Sequence, residues 1–261
     1  FSADAFTETP RTKILANFGV GYNHIDAKAA RAVGVEVTNT PGAVTEATAD
    51  IAMTLMLMTC RRAGEGERIV RAGKWQGWQP TEFLGMHVSG KTLGVIGMGR
   101  IGKAIARRAQ GGFGMKVVFH NRSRVEDPGF EATQLGSVAE VMAAADVVVL
   151  AVPGGAETKH LIDAAALQAM KPTGYLVNIS RGDVVDEAAL IQVLQRGRIA
   201  GAGLDVYEFE PKVPDALKRL ENVVLLPHIG TSALEVREAM GMMAVENVTA
   251  FFDGRPVPNP V

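Results

Sequence analysis

Gly97-Met98-Gly99-Arg100-Ile101-Gly102 follows the β-branched run Thr92–Ile96 and opens a helical pattern over Ile101–Gln110. A G-x-G-x-x-G in that setting is a dinucleotide-binding turn. Its first glycine permits the tight turn, its second lets the backbone approach a pyrophosphate, and its third lets helix and strand pack closely. The helix N-terminus adds N–H groups that no backbone carbonyl takes up. Alone, the same six residues also read as a plain glycine-rich turn, so the surrounding pattern has to decide.

That pattern is a parallel sheet. Lys116–His120 reads as a second strand, Val147–Val152 as a third, and Tyr175–Ile179, Gly203–Val206 and Val223–Leu226 as three more, with a helix over Glu187–Gln195. The run Val147-Val148-Val149-Leu150-Ala151-Val152 shows no alternation of apolar and polar residues, as expected for a strand covered by helices on both faces. Six strands interleaved with helices predict a doubly wound α/β domain of the Rossmann kind over residues 89–231. Ahead of it, a strand over Lys13–Asn17, a helix over Ile25–Val33 and a strand over Val35–Thr38 predict a second, smaller α/β unit, assigned to residues 1–88 and 232–261. Glu46–Arg62 reads as a helix apolar nearly all round, which implies burial between domains or subunits. The stretch from Arg68 to Ser89, with Trp75 and Trp78, reads as loop. The basic run Arg61, Arg62, Arg68, Arg71 and Lys74, interrupted by Glu65 and Glu67, reads as a solvated face.

Composition narrows the function classes. The 261 residues are enough for two modest domains, since a domain takes roughly 100 to 200. Hydrophobic residues at 47% and charged residues at 21% exclude a disordered chain. Lys and Arg total 27 against 28 acids, for a formal charge of −1, so the chain lacks the basic field of a nucleic-acid binder. Cys60, the single cysteine, forms no internal disulfide and anchors no cysteine cluster, which fits a reducing cytoplasm. His24, His87, His120 and His160 show no ligand spacing, so no metal is expected. No run of 18 apolar residues predicts a membrane span.

In dinucleotide domains that take NAD, an acid about twenty residues past the glycines bonds the ribose hydroxyls. Here that place reads Asn121-Arg122-Ser123-Arg124. Two guanidinium groups flanking a hydroxyl suit a 2′-phosphate, so NADP(H) is expected in preference to NAD(H), which stays possible. A solvated basic turn is the plainer alternative.

Three further segments carry a resemblance. They are Asn178-Ile179-Ser180-Arg181-Gly182-Asp183-Val184-Val185-Asp186-Glu187, Gly203-Leu204-Asp205-Val206-Tyr207-Glu208-Phe209-Glu210-Pro211, and Leu226-Pro227-His228-Ile229-Gly230. Together they closely resemble the signatures of the D-isomer-specific 2-hydroxyacid dehydrogenases, and the similarity runs from about Asn17 to the last residue. Val37-Thr38-Asn39-Thr40-Pro41-Gly42 and Thr45-Glu46-Ala47-Thr48-Ala49-Asp50 look most like the glyoxylate and hydroxypyruvate reductase branch. The resemblance implies that Gly19-Val20-Gly21 holds the substrate carboxylate through its N–H groups, opposite Arg181, and that Asp205 bonds the nicotinamide amide. A tight turn and a buried structural acid are the respective alternatives. Cofactor contacts are further expected at Val152, Pro153, His228 and Gly230. Family members carry a longer front segment, so the flavodoxin-like substrate domain is expected to be N-terminally incomplete in this chain, which opens Phe-Ser-Ala-Asp.

The chemistry of the three central residues is consistent with that resemblance. Arg181, Glu210 and His228 each follow a strand at its carboxyl end, the edge that forms the ligand crevice of an open α/β sheet. A guanidinium fork can grip the carboxylate of a 2-oxo acid. Imidazole can protonate the carbonyl oxygen as hydride arrives, and a neighbouring carboxylate can orient the ring and favour its charged form. Taken singly, the three also read as an ion pair, a solvated acid and a strand-end histidine. The expected activity is reduction of a small 2-oxo acid, glyoxylate or hydroxypyruvate, by a cytoplasmic homodimer with neither nucleic-acid nor membrane partner. The alternative is a dinucleotide-sensing, corepressor-like interaction protein on the same scaffold.

Overall fold

The computed structural model of the chain describes residues 1–6 and 9–261. It divides into two compact units, residues 1–47 with 231–261 and residues 48–230. In the smaller unit, β1 (Ile14–Ala16) and β2 (Glu36–Thr38) pair in parallel through the crossover helix α1 (Ala27–Ala32). Asp26 caps α1 by accepting the Ala29 N–H, satisfying one of the donors a helix start leaves unpaired.

Helix α2 (Thr45–Cys60), which belongs to the larger unit from Thr48 onward, is followed by α3 (Ala63–Arg71), the two separated where Arg62 takes a left-handed turn at φ +52°. The sheet elements follow as β3 (Thr92–Ile96), α4 (Arg100–Phe113), β4 (Lys116–His120), β5 (Thr133–Gln134), α5 (Val138–Ala144), β6 (Val147–Leu150), α6 (Ala164–Ala169), β7 (Tyr175–Asn178), α7 (Glu187–Gln195), β8 (Gly201–Leu204), α8 (Asp215–Lys218) and β9 (Val223–Leu225). All seven strands run parallel in the order β5-β4-β3-β6-β7-β8-β9, the doubly wound arrangement expected. The seventh strand is the two-residue edge β5, whose polar Thr-Gln pair gives no apolar signal. Helices cover both faces, and Val147–Leu150 are completely buried. Back in the smaller unit, α9 (Leu234–Phe252) packs on β1, and the chain end pairs with β2 through the Thr38–Pro260 bridge.

Two sequence expectations change. Residues 48–88 group with the sheet unit rather than the smaller one. The reason is α2: Ala49, Ala52, Leu55, Met56 and Cys60 are buried in one cluster with Leu93, Val95 and Val177 of the sheet. The stretch expected as loop from Arg68 starts inside α3, which its two glycines and dense charge disguise. Arg71–Glu67 and Arg62–Glu65 ion pairs lace that helix, and Arg68 reaches Glu221. Burial pushes the Cys60 thiol up to about 12, so it is an inert core group.

Candidate active site

The glycine loop leaves β3 at Gly97, whose φ of +97° suits only glycine and where a Cβ would stand 2.6 Å from the Ala151 carbonyl. At Gly102 a Cβ would collide with the Gly97 carbonyl oxygen, so helix and turn touch directly. Gly99 is different, because a side chain there meets only open space. Packing does not require a glycine at that position; close approach by a ligand would. Gly99 is also the N-cap of α4 and places no side chain over the first N–H groups at Arg100 and Ile101. This bare, positive helix end fits the pyrophosphate of a dinucleotide. Met98 lies beneath the loop, buried, its N–H donated to Asn121 Oδ1 at 3.2 Å.

Asn121 also donates to Ser123 O and Oγ, so its side chain braces the turn after β4. Ser123 and Arg124 are exposed. Arg122, expected as a phosphate clamp, is engaged by Glu157, with Nη1 2.5 Å from Oε2. Val152 donates its N–H to Ser180 Oγ, tying the end of β6 to that of β7, and Pro153 O accepts from Thr158 Oγ1.

Arg181, Glu210 and His228 lie past the ends of the adjacent strands β7, β8 and β9. His228 Nδ1 is 2.8 Å from Glu210 Oε2. Because a carboxylate only accepts, Nδ1 carries the hydrogen and Nε2 is the nitrogen left for chemistry. Glu210 Oε1 accepts the Tyr207 N–H at 3.0 Å, so both carboxylate oxygens are fixed. Arg181 donates from Nη1 to the Ser180 carbonyl, and Asn178 Nδ2 donates to the Arg181 carbonyl. The next residue must be glycine, since a Cβ on Gly182 would occupy the Tyr207 carbonyl. That contact presses the arginine segment against the segment that bears Glu210.

The buried Asp205 carboxylate accepts the N–H groups of Ile229 and Gly230 at 2.8 and 2.7 Å. It thereby holds the turn in which His228 adopts φ +55°. Burial raises the Asp205 carboxyl above the ordinary range, opposed by those two donors. Tyr207 Oη donates to the Leu226 carbonyl at 2.8 Å, a second tie on the histidine turn. Glu208 bonds His160 Nε2 at 2.8 Å, and His160 donates its backbone N–H to Asp183. Buried Glu187 beside it has its carboxyl raised, first by burial and then by the charge of Glu208. Sequence reading assigned no role to Tyr207, Gly182, Glu208 or His160; the signature segments contain three of them.

In the smaller unit, Asn17 Nδ2 donates to the carbonyls of Gly19 and Gly21, and Asn39 Nδ2 donates to that of Val20. A trans peptide points its C=O and the following N–H in opposite directions. The N–H groups of Val20 and Gly21 are therefore turned outward, and neither has a partner among the described residues.

A parallel sheet whose first crossover carries this glycine loop defines a nicotinamide-dinucleotide-dependent oxidoreductase when joined to the arginine, glutamate and histidine edge. Residues 53–230 match the family model "D-isomer specific 2-hydroxyacid dehydrogenase, NAD binding domain". The glyoxylate reductase of Thermococcus onnurineus (strain NA1) is 46% identical over 261 residues, covering 98% of this chain and 78% of that protein. The glyoxylate reductase of Korarchaeum cryptofilum (strain OPF8) is 48% identical over 263 residues, with the same coverage. Among solved structures, an NADPH-dependent glyoxylate/hydroxypyruvate reductase from Sinorhizobium meliloti, in complex with NADP and malonate, aligns with a TM-score of 0.89. It is 43% identical and covers 95% of this chain and 78% of that one. A glyoxylate reductase from Paecilomyes thermophila gives 0.91 at 37% identity, covering 99% and 77%. This chain belongs to the D-isomer specific 2-hydroxyacid dehydrogenase family.

Proposed function

We propose that the chain reduces glyoxylate to glycolate or hydroxypyruvate to D-glycerate, with NADPH preferred over NADH. The observation that carries this reading is the 2.8 Å bond between Glu210 Oε2 and His228 Nδ1 at the carboxyl edge of the sheet. It leaves Nε2 to deliver a proton to the substrate oxygen. Arg181 grips the substrate carboxylate with its planar fork and so orients the neighbouring carbonyl. The Gly97–Gly102 loop would hold the pyrophosphate of a nicotinamide dinucleotide, with Val152, Pro153, Asp205 and Gly230 as its further contacts, and the bound group would supply hydride for the carbonyl carbon. His228 Nε2–H gives its proton to the oxygen, and the ring, still held at Nδ1 by Glu210, recovers a proton from solvent. The outward N–H groups of Val20 and Gly21 are further donors suited to an anionic substrate group.

The NADPH preference rests on Arg122 and Arg124 standing where an NAD site has its acid. Screening of exposed charges sets the expected kcat/KM ratio of NADPH over NADH at about 30. Initial rates read at the nicotinamide absorbance band, with glyoxylate, hydroxypyruvate and pyruvate against both cofactors, test the reading. Equal efficiency with NADH removes the cofactor preference, and no turnover of any of the three acids removes the substrate class. Val70, Trp75, Trp78 and Leu84 are exposed, and the segment that carries them is proposed to build a homodimer, so the active preparation is expected to sediment as a dimer at micromolar concentration. A cytoplasmic setting, with neither nucleic acid nor membrane as partner, is proposed from the charge balance and the single buried thiol. No helix among the described residues is long and apolar enough to cross a membrane.

A further inference from the structure

Arg122 follows β4, and Glu157 lies in the loop after β6. In the sheet these strands flank β3, in the order β4-β3-β6. The ion pair joining them, 2.5 Å from Nη1 to Oε2, therefore crosses over the end of β3, where the glycine loop begins. Both of its ends are anchored. Beside Arg122, Gln134 Nε2 donates to Ser123 O and Gln134 Oε1 accepts the Val125 N–H. Beside Glu157, Thr158 Oγ1 bonds the Pro153 and Gly155 carbonyls, and His160 is tied to Asp183 and Glu208. The pair itself is open to water, with side chains 88% and 80% exposed. Two fixed loops thus carry a weak, exchangeable contact across the mouth of the dinucleotide crevice.

We propose that Glu157 is a cofactor-specificity residue: it holds Arg122 across the crevice mouth, so that an adenosine 2′-phosphate reaches the guanidinium only by displacing a carboxylate. The inference rests on the reading that Arg122 takes the 2′-phosphate. A phosphate carries close to two charges against one on the carboxylate, so the exchange favours the phosphate. Glu157 still subtracts from the affinity, because its own contact is lost. A dinucleotide without the 2′-phosphate leaves the pair intact and is indifferent to Glu157. An exposed pair of this kind sets the subtraction at about three- to fivefold.

The test is calorimetric titration of the full chain with adenosine 2′,5′-bisphosphate and with 5′-AMP, in the parent, Glu157→Gln, Arg122→Ala and the double variant. Glu157→Gln is expected to bind the bisphosphate about three- to fivefold more tightly than the parent. Its affinity for 5′-AMP is expected to be unchanged. In the Arg122→Ala background, the same change is expected to give no gain. Unchanged bisphosphate affinity overturns the inference, as does an equal gain for 5′-AMP or a full gain that persists without Arg122. The parent's own ratio for the two probes separately tests the NADPH reading. A ratio near one removes that preference, yet a selective gain in Glu157→Gln still supports the role of Glu157.

Discussion

Replacing His228 by alanine lowers kcat by roughly 10²- to 10⁴-fold, the usual contribution of a positioned general acid, while cofactor affinity changes little. The expectation follows from the Glu210 contact at Nδ1, which dedicates the ring's other nitrogen to proton transfer. His228 sits at φ +55°, a left-handed conformation that alanine tolerates less well than histidine or asparagine. His228→Asn is therefore the matched control: it suits the backbone, carries no titrating nitrogen, and is expected to lose activity to the same degree. Steady-state kinetics beside thermal unfolding separate the two effects. If either variant kept the parent's kcat and lost only stability, His228 would be a structural residue.

Arg181→Lys is expected to lower kcat/KM for the 2-oxo acid by about 10²-fold, because an ammonium cannot reproduce the fork that aligns carboxylate and carbonyl together. The backbone at this position is set independently of the side chain. Asn178 holds the Arg181 carbonyl, and Gly182 seats the segment against Tyr207. Dinucleotide affinity, read by nicotinamide fluorescence, is expected to be unchanged, since the glycine loop lies on a different strand. Near-parental turnover in the lysine variant would remove Arg181 from the substrate site.

Sequence reading located the elements that advertise themselves by continuous apolar runs or clear periodicity. Thr92–Ile96, Lys116–His120 and Glu187–Gln195 keep the same bounds in the structure. It missed β5, which is two polar residues long, and α3, where Gly64 and Gly66 lower helix propensity and paired charges restore it. It also assigned residues 48–88 to the smaller unit, because a helix apolar nearly all round does not say which core it enters. At the site, the motif residues were legible because their types match a chemistry. Their supports were not, because each joins positions far apart in the chain. Asp205 reaches Ile229 and Gly230, Tyr207 reaches Leu226, and Glu208 reaches His160. The same holds for Arg122 and Glu157, whose pairing changes the meaning of an arginine that sequence alone presents as uncommitted.

This chain is expected to move hydride to the carbonyl carbon of a 2-oxo acid while His228 protonates the oxygen. The most direct measurement is reduction of hydroxypyruvate with NADPH deuterated at the transferring position of the nicotinamide, followed by mass and chiral analysis of the product. The expected product is D-glycerate with one deuterium at C2 for each cofactor oxidised. Product lacking that deuterium or product of the L configuration would contradict this expectation, as would no cofactor oxidation with either hydroxypyruvate or glyoxylate.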